Sequence, residues 1–214
     1  MMKTKFLFLI TIATLILGGC SQKKDSEEVS KPLKHFPLSE GDFIINVAES
    51  KLVWTGKQLS TKEHYGTLNI LDGNFKVDKN GLINGKVKID MKTINTTDLK
   101  GEWKNKLDGH LKSPDFFDVN NHPIAYLTFQ SDEKKMSKGE LEFDGQLTIK
   151  GLTHPISFSS NIKDIGGKLS ANTNITFDRS LYNVKYGSGK FFENLGDNLI
   201  YDDISVDVVI IASK

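Results

Sequence analysis

From Asp42 onward, apolar and polar residues alternate in short segments bounded by Gly, Asn and Asp, the pattern of antiparallel sheet with one face in water. Glu140 to Lys150 is the clearest. Leu141, Phe143, Leu147 and Ile149 share one face, Glu140, Glu142, Asp144, Gln146, Thr148 and Lys150 the other, and Gly145 marks an expected bend. The same two-residue period recurs in Leu52 and Trp54; in Ile83, Val87, Ile89 and Met91; in Ile156, Phe158 and Ile162; in Leu169, Ala171, Ile175 and Phe177; and in Ile204, Val206, Val208 and Ile210. Asp72-Gly73-Asn74, Asp78-Lys79-Asn80-Gly81 and Ile165-Gly166-Gly167 read as turns between strands. Roughly eight to ten strands without βαβ alternation predict an all-β domain over residues 41–214. A barrel is preferred to an open sheet because closure removes exposed edges.

One segment breaks the strand rhythm. Leu99, Trp103, Leu107 and Leu111 recur every fourth residue and predict a helix over about residues 98–112 with these side chains as its apolar stripe. Thr97 or Asp98 is the expected cap, and Pro114 ends the helix just after Ser113. A single helix beside a barrel either lids one mouth or simply packs on the sheet; the spacing fits both.

The N-terminus has a different character. Basic Met1-Met2-Lys3-Thr4-Lys5 precedes an apolar or small run of twelve residues, Phe6 to Leu17, and then Gly18-Gly19-Cys20. That is the layout of a secretory signal, and the run falls short of the ~20 residues that span a bilayer. Leu17-Gly18-Gly19-Cys20 resembles the bacterial lipobox. The resemblance implies a signal peptide at 1–19 and a lipidated Cys20 whose acyl chains anchor the protein to a membrane. Residues 20–40, rich in Ser, Lys and Glu, read as a flexible tether. Ser21 resembles the sorting preference for the outer membrane, and the KKDSEE run resembles surface-export signals. The expected location is the cell envelope, at the outer membrane, on its periplasmic side rather than the cell surface.

With 28 basic and 27 acidic side chains and a net charge of +1, the chain lacks the concentrated basic surface of a nucleic-acid binder. Cys20 is its one cysteine, which leaves no intramolecular disulfide, CxxC pair or cysteine zinc cluster. The five histidines, His35, His64, His110, His122 and His154, are scattered without HExxH or HxH spacing, so no metal site is expected. No GxSxG elbow occurs, and Gly187-Ser188-Gly189-Lys190 lacks the spacing of a phosphate loop and reads as a rim loop. Neither catalytic residues nor a cofactor are expected. Arg179 is the single arginine, hence the one bidentate fork available for an anionic group.

Three blocks in the strand region carry a family resemblance. Gly109-His110-Leu111-Lys112-Ser113-Pro114-Asp115-Phe116-Phe117-Asp118-Val119-Asn120-Asn121-His122-Pro123, followed by Leu127-Thr128-Phe129-Gln130-Ser131, is similar to the HLxSxDFFDxxxxPxxxFxS signature of the YceI-like family. Gly145 to Ile156 resembles its GxLTIxGxTxPV pattern, and Phe177-Asp178-Arg179-Ser180-Leu181-Tyr182 stands where the family carries an arginine followed by an aromatic. Trp54-Thr55-Gly56-Lys57 with His64-Tyr65-Gly66 resembles the opening hairpin. One departure is Lys106-Leu107-Asp108-Gly109, which keeps an aspartate before His110 but not the arginine that often precedes it.

The resemblance implies a lipocalin-like antiparallel barrel with one helix near a mouth. Its apolar interior would take a polyisoprenoid, an isoprenoid quinone or another lipid-tailed amphiphile, as carrier or sink. The expected ligand-binding residues are Trp54, Trp103, Leu107, His110, Phe116, Phe117, Phe129, Phe143, Phe158, Phe177, Arg179 and Tyr182. Each also has a structural reading: Arg179 can pair with Asp202 or Asp203, the two tryptophans can anchor the core, and the phenylalanines can fill it. The competing function is a structural or stress-protective envelope protein with a filled barrel that acts through protein partners. A homodimer is compatible with either.

Overall fold

The inward–outward alternation of the sequence is realised in nine strands among the described residues, which in this computed structural model are 38–60, 62–137 and 140–214. The expected signal peptide, Cys20 and nearly all of the expected tether lie outside them. The strands are β1 (Gly41–Ile45), β2 (Lys51–Lys57), β3 (Glu63–Val77), β4 (Ile83–Thr96), β5 (Ile124–Ser137), β6 (Glu140–Ile149), β7 (Leu152–Asp164), β8 (Lys168–Asp178) and β9 (Asp203–Ser213), with helix α1 (Gly101–Lys112) between β4 and β5. From β2 onward each strand pairs antiparallel with the next, and β9 returns to β2. β1 and β2 lie end to end between β3 and β9, since each pairs with both. Nine strands therefore make a closed eight-position barrel, which leaves no edge to aggregate.

The sequence pattern accounts for the walls. In β6, Leu141, Phe143, Leu147 and Ile149 are buried while the intervening residues are at least partly exposed. The strand continues through Gly145, whose missing Cβ has a different use from the expected bend: a Cβ there would lie 2.3 Å from the Thr128 carbonyl oxygen of β5. The β3–β4 ladder shifts register between Thr67 and Asn69 and again between Ile70 and Asp72. Thr93 Oγ1 accepts from the Asn69 amide at 2.9 Å, so the first irregularity leaves that donor satisfied.

The two ends of the barrel are built differently. At one, Phe43 stacks on Phe75 with ring centroids 5.3 Å apart, and Val77, Leu169 and Ala212 are fully buried or nearly so. At the other lies α1, tied to the end of β4: Asp108 accepts from the Thr96 amide at 2.7 Å and pairs with Lys104, which also donates to Asn95 Oδ1 at 2.8 Å.

The helix departs from expectation in two respects. It begins at Gly101, after Lys100, and no side chain caps it. Thr97 and Asp98 instead serve the sheet, where the Thr97 amide donates to the Tyr65 carbonyl at 3.0 Å and Asp98 accepts from the Tyr65 amide at 3.1 Å. Nor is the four-residue series one stripe. Each fourth residue advances about 40° beyond a full turn, so Leu111 is buried, Leu107 half-buried and Trp103 71% exposed, with the Lys106 ammonium 5.2 Å from its ring. Trp103 is neither core anchor nor pocket wall. The stop is as expected: Ser113 caps the helix end, its hydroxyl donating to the His110 carbonyl at 2.7 Å, and Pro114 follows.

Candidate functional site

The barrel is hollow. A cavity of about 250 Å³ is lined by side chains from all eight strand positions, overwhelmingly aliphatic and aromatic. It runs from Lys57, Gln58, His64 and Ile200 at the helix end to Ser160 and Leu169 near the other. Inward residues such as Phe129, Phe158, Ala171, Val206, Val208 and Ile210 are only half-buried although they point to the barrel axis, because their inner ends meet unfilled space. A barrel packed solid would have buried them, and strand number alone permits either outcome.

Nine of the twelve expected binding residues line this cavity: Trp54, Leu107, His110, Phe116, Phe117, Phe129, Phe143, Phe158 and Phe177. Phe129, Phe143 and Phe158 form one aromatic cluster, with Phe143 stacked on Phe158 at 5.3 Å and Phe129 edge-on to Phe143 at 5.7 Å. Phe116 and Phe117 follow α1 and meet edge to face at 5.0 Å; the Phe117 amide is bonded to the Leu111 carbonyl, which folds the chain back beneath the helix end. Trp54 lies across Gly66 of β3, where a Cβ would come within 2.7 Å of its ring and 2.0 Å of the Asn95 carbonyl oxygen. Only glycine lets the indole sit there.

Trp103, Arg179 and Tyr182 do not line the cavity. Tyr182 is 1% exposed, packed edge-on against Phe177 at 5.7 Å and His154 at 5.1 Å, and burial raises the pKa of its hydroxyl above the usual range. Arg179 is fully buried and acts on its own main chain. Its guanidinium donates to the carbonyls of Val184 (3.1 Å), Tyr186 (2.8 Å), Ile200 (3.1 Å) and Tyr201 (3.2 Å), lies 3.4 Å from Asp202, and faces the Phe116 ring at 5.4 Å. The alternative of pairing with Asp202 holds. The fork is spent on the connection between β8 and β9, with none left for a ligand.

Aliphatic wall residues such as Ile45, Ile70, Met91 and Val206 were not among the expected binding residues, although the strand phase already marked Met91 and Val206 as inward. Polar lining is confined mostly to the helix end. Deeper in, the Ser160 hydroxyl donates to the Asn172 carbonyl at 3.2 Å and Thr173 donates to the Ser159 carbonyl, so both are satisfied within the sheet. At the mouth, His64 Nδ1 lies 2.7 Å from Asp98 Oδ2. His110 packs edge-on against Phe116 at 5.5 Å and Tyr186 at 4.3 Å; burial lowers its pKa, opposed by the charge of Asp115. Among the described residues, no group of three or more His, Cys, Asp or Glu is placed to hold a metal ion.

Asp108 gives the mouth an acid-sensitive latch. Burial raises its carboxyl pKa, but the bonds from Lys104 and Thr96 outweigh this and hold it below the ordinary value of 3.8. The stability it contributes is therefore present above that pH and is lost as pH falls through the lower, folded-state value. Asp108→Asn is expected to cost about 1.5–3 kcal/mol at pH 7 and to flatten this acid loss. Chemical denaturation at pH 7 and pH 3 checks it; an equal cost at both would exclude the latch.

Residues 43–212 match the family model of the YceI-like domain. A UPF0312 protein of Pseudomonas aeruginosa is 34% identical over 106 residues, 50% of this chain and 52% of that protein. Protein YceI of Escherichia coli O157:H7 is 35% identical over 98 residues, 46% and 48% of the two chains. The chain thus spans about half the length of the curated relatives it matches. Among solved structures, Burkholderia cenocepacia BcnA superposes with a TM-score of 0.59 at 18% identity, covering 79% of this chain and 99% of that one. A polyisoprenoid binding domain from Saccharophagus degradans gives 0.58 at 14% identity, covering 80% and 97%. At these identities the likeness is one of fold.

Proposed function

The chain belongs to the YceI-like family, and from that premise we propose that it binds a polyisoprenoid, an isoprenoid quinone or another lipid-tailed amphiphile inside the barrel, as a carrier or sink that binds rather than transforms. The hollow apolar interior carries this reading. At ~24 cal/mol per Å³, an unfilled cavity of about 250 Å³ leaves about 6 kcal/mol of packing unrealised, which an apolar tail can supply. Apolar hollows of about 150 Å³ already admit an aromatic ring. The fold likeness to a polyisoprenoid binding domain supports the same class of ligand. Tail binding by area alone is non-directional, so selectivity for chain length is loose up to the depth of the barrel. The filled-barrel alternative requires an interior without space.

The proposal extends to place: Cys20 is lipidated and anchors the barrel in the envelope, at the outer membrane on its periplasmic side. One comparison tests both parts. Full-length protein and its Cys20→Ser variant are purified and extracted with organic solvent, and the extracts are read by mass spectrometry. The variant is expected to release about one isoprenoid or acyl amphiphile per chain, absent from a mock purification, and to melt lower after extraction, since a ligand bound only to the folded state stabilises it. Only the unsubstituted chain is expected in the outer-membrane fraction. A clean extract from folded protein that takes up neither quinone nor polyprenol would refute the lipid reading; identical fractionation of the two proteins would refute the anchor.

A further inference from the structure

Four side-chain polar atoms of the described residues are buried without a hydrogen-bond partner, Trp54 Nε1, Thr96 Oγ1, His110 Nε2 and Asp202 Oδ1, and the last has the Arg179 guanidinium as its counter-charge at 3.4 Å. Trp54 and Thr96 are neighbours across the sheet, and the helix that carries His110 is tied to Thr96. Trp54, Gly66 and Thr96 are register partners across β2, β3 and β4, and the Thr96 amide is held by Asp108, two residues before His110. Trp54 is 7% exposed, and both it and His110 line the cavity. Leaving a dry indole N–H unpaired costs about 1–3 kcal/mol, and groups left so in a folded interior call for an occupant that satisfies them. The deeper polar side chains, Ser160 and Thr173, have partners. Unmet hydrogen-bonding capacity is thus gathered at one end of an apolar hollow, where the head of an amphiphile whose tail fills the barrel would come to rest.

The chemistry of these atoms and their neighbours narrows that head. An indole can only donate, while a neutral imidazole offers one N–H and one lone pair. Burial keeps His110 on the neutral side, with only Asp115 acting against it. Lys57, paired with Glu63 at 3.0 Å, is the one lysine or arginine among the described residues lining the cavity; beyond the lining, Arg179 is held by backbone carbonyls and Asp202, Lys104 by Asp108, Lys190 by Asp178, and Lys150 donates to the Pro114 and Asn183 carbonyls. A carboxylate or phosphate entering here would lose its hydration against a lining whose single lysine is already paired, a costly kind of burial.

We propose that the helix end of the cavity is a head-group site for an uncharged oxygen, a hydroxyl or a carbonyl, to which Trp54 Nε1 donates and His110 Nε2 supplies the second hydrogen bond. It selects neutral amphiphiles over anionic ones with the same tail. This rests on the lipid-binding reading and specifies it.

The test uses matched twelve-carbon probes on the full-length Cys20→Ser chain at pH 8, stripped of bound lipid: 1-dodecanol, dodecanoate, dodecyl phosphate and dodecane, read by displacement of a fluorescent lipid. Dodecanol is expected to bind at least about tenfold more tightly than either anion. Trp54→Phe keeps the aromatic volume and removes the N–H, and is expected to lower the dodecanol-to-dodecane affinity ratio about three- to tenfold. His110→Phe makes the same comparison independently should Trp54→Phe fail to fold. Anions that match dodecanol, or a ratio unchanged in the variants because water satisfies these atoms, would overturn the head-group site while leaving tail binding intact. Failure of every probe, dodecane included, would overturn the lipid-binding reading and this site with it.

Discussion

Arg179→Met is expected to destabilise the protein by about 3–5 kcal/mol, and so to lower its thermal midpoint by about 6–20 °C. The guanidinium binds carbonyls from both legs of the connection between β8 and β9, Val184 and Tyr186 on the outgoing side and Ile200 and Tyr201 on the return. Methionine keeps much of the volume but leaves these carbonyl oxygens without their donor and the nearby Asp202 carboxylate without its counter-charge. Added separately, such losses would exceed the stability of a typical domain; the connection will instead open and let water reach some of the carbonyls, which brings the total down to that of one broken buried ion pair. Arg179→Lys retains the charge but has one nitrogen for four directions, and should recover less than half of the loss. Tyr186 packs on His110, so the damage should spread to the cavity mouth. Thermal unfolding gives the magnitude, and amide exchange at Val184 and Ile200 locates it. A midpoint shift below about 3 °C with unchanged protection would show that the connection holds itself together without the arginine.

Arg179 also illustrates what the sequence could and could not disclose. Its singularity marked it as important, and pairing with Asp202 was one of two open readings, but four of its partners are main-chain carbonyls, which leave no trace in residue identity. The barrel was legible because a closed sheet with apolar interior and wet exterior imposes a period of two on every strand, as in Leu141, Phe143, Leu147 and Ile149. That period sorts residues into inward and outward. It cannot tell a filled interior from a hollow one, because that depends on the distance between opposing walls. The helix was legible in place but not in face, since a four-residue repeat drifts around a 3.6-residue helix and carried Trp103 into solvent. His110, Phe116 and Phe117 were found through the motif that runs from the last turn of the helix into the loop after it, whereas aliphatic lining such as Ile45 and Ile70 looks in sequence like any other core. The unpartnered Trp54 and His110 nitrogens are a property of three-dimensional surroundings alone.

Ala171→Phe should alter function more than any change at the mouth, with little harm to the fold. Ala171 sits on β8 between Ile162 of β7 and Ile210 of β9, in the half of the barrel away from the helix, and lines the cavity. Adding a ring to a packed core forces neighbours apart at a cost of about 1–3 kcal/mol. Here the ring enters existing space and gains contacts, so stability without ligand should hold or rise. The same space is lost to the tail. If the ring displaces about three methylenes, at ~0.8 kcal/mol each, affinity for a tail that reaches this depth falls by about 2.4 kcal/mol, roughly sixtyfold, while a tail too short to reach it is unaffected. Affinities of a series of primary alcohols from eight to sixteen carbons should therefore rise with length in the unsubstituted barrel and level off early in the variant. Parallel curves would mean that the tail does not enter the deep half at all. That result would confine the ligand to the helix end, where the area removed from water is too small for apolar burial to dominate, and would give the head-group contacts at Trp54 and His110 the larger share of affinity.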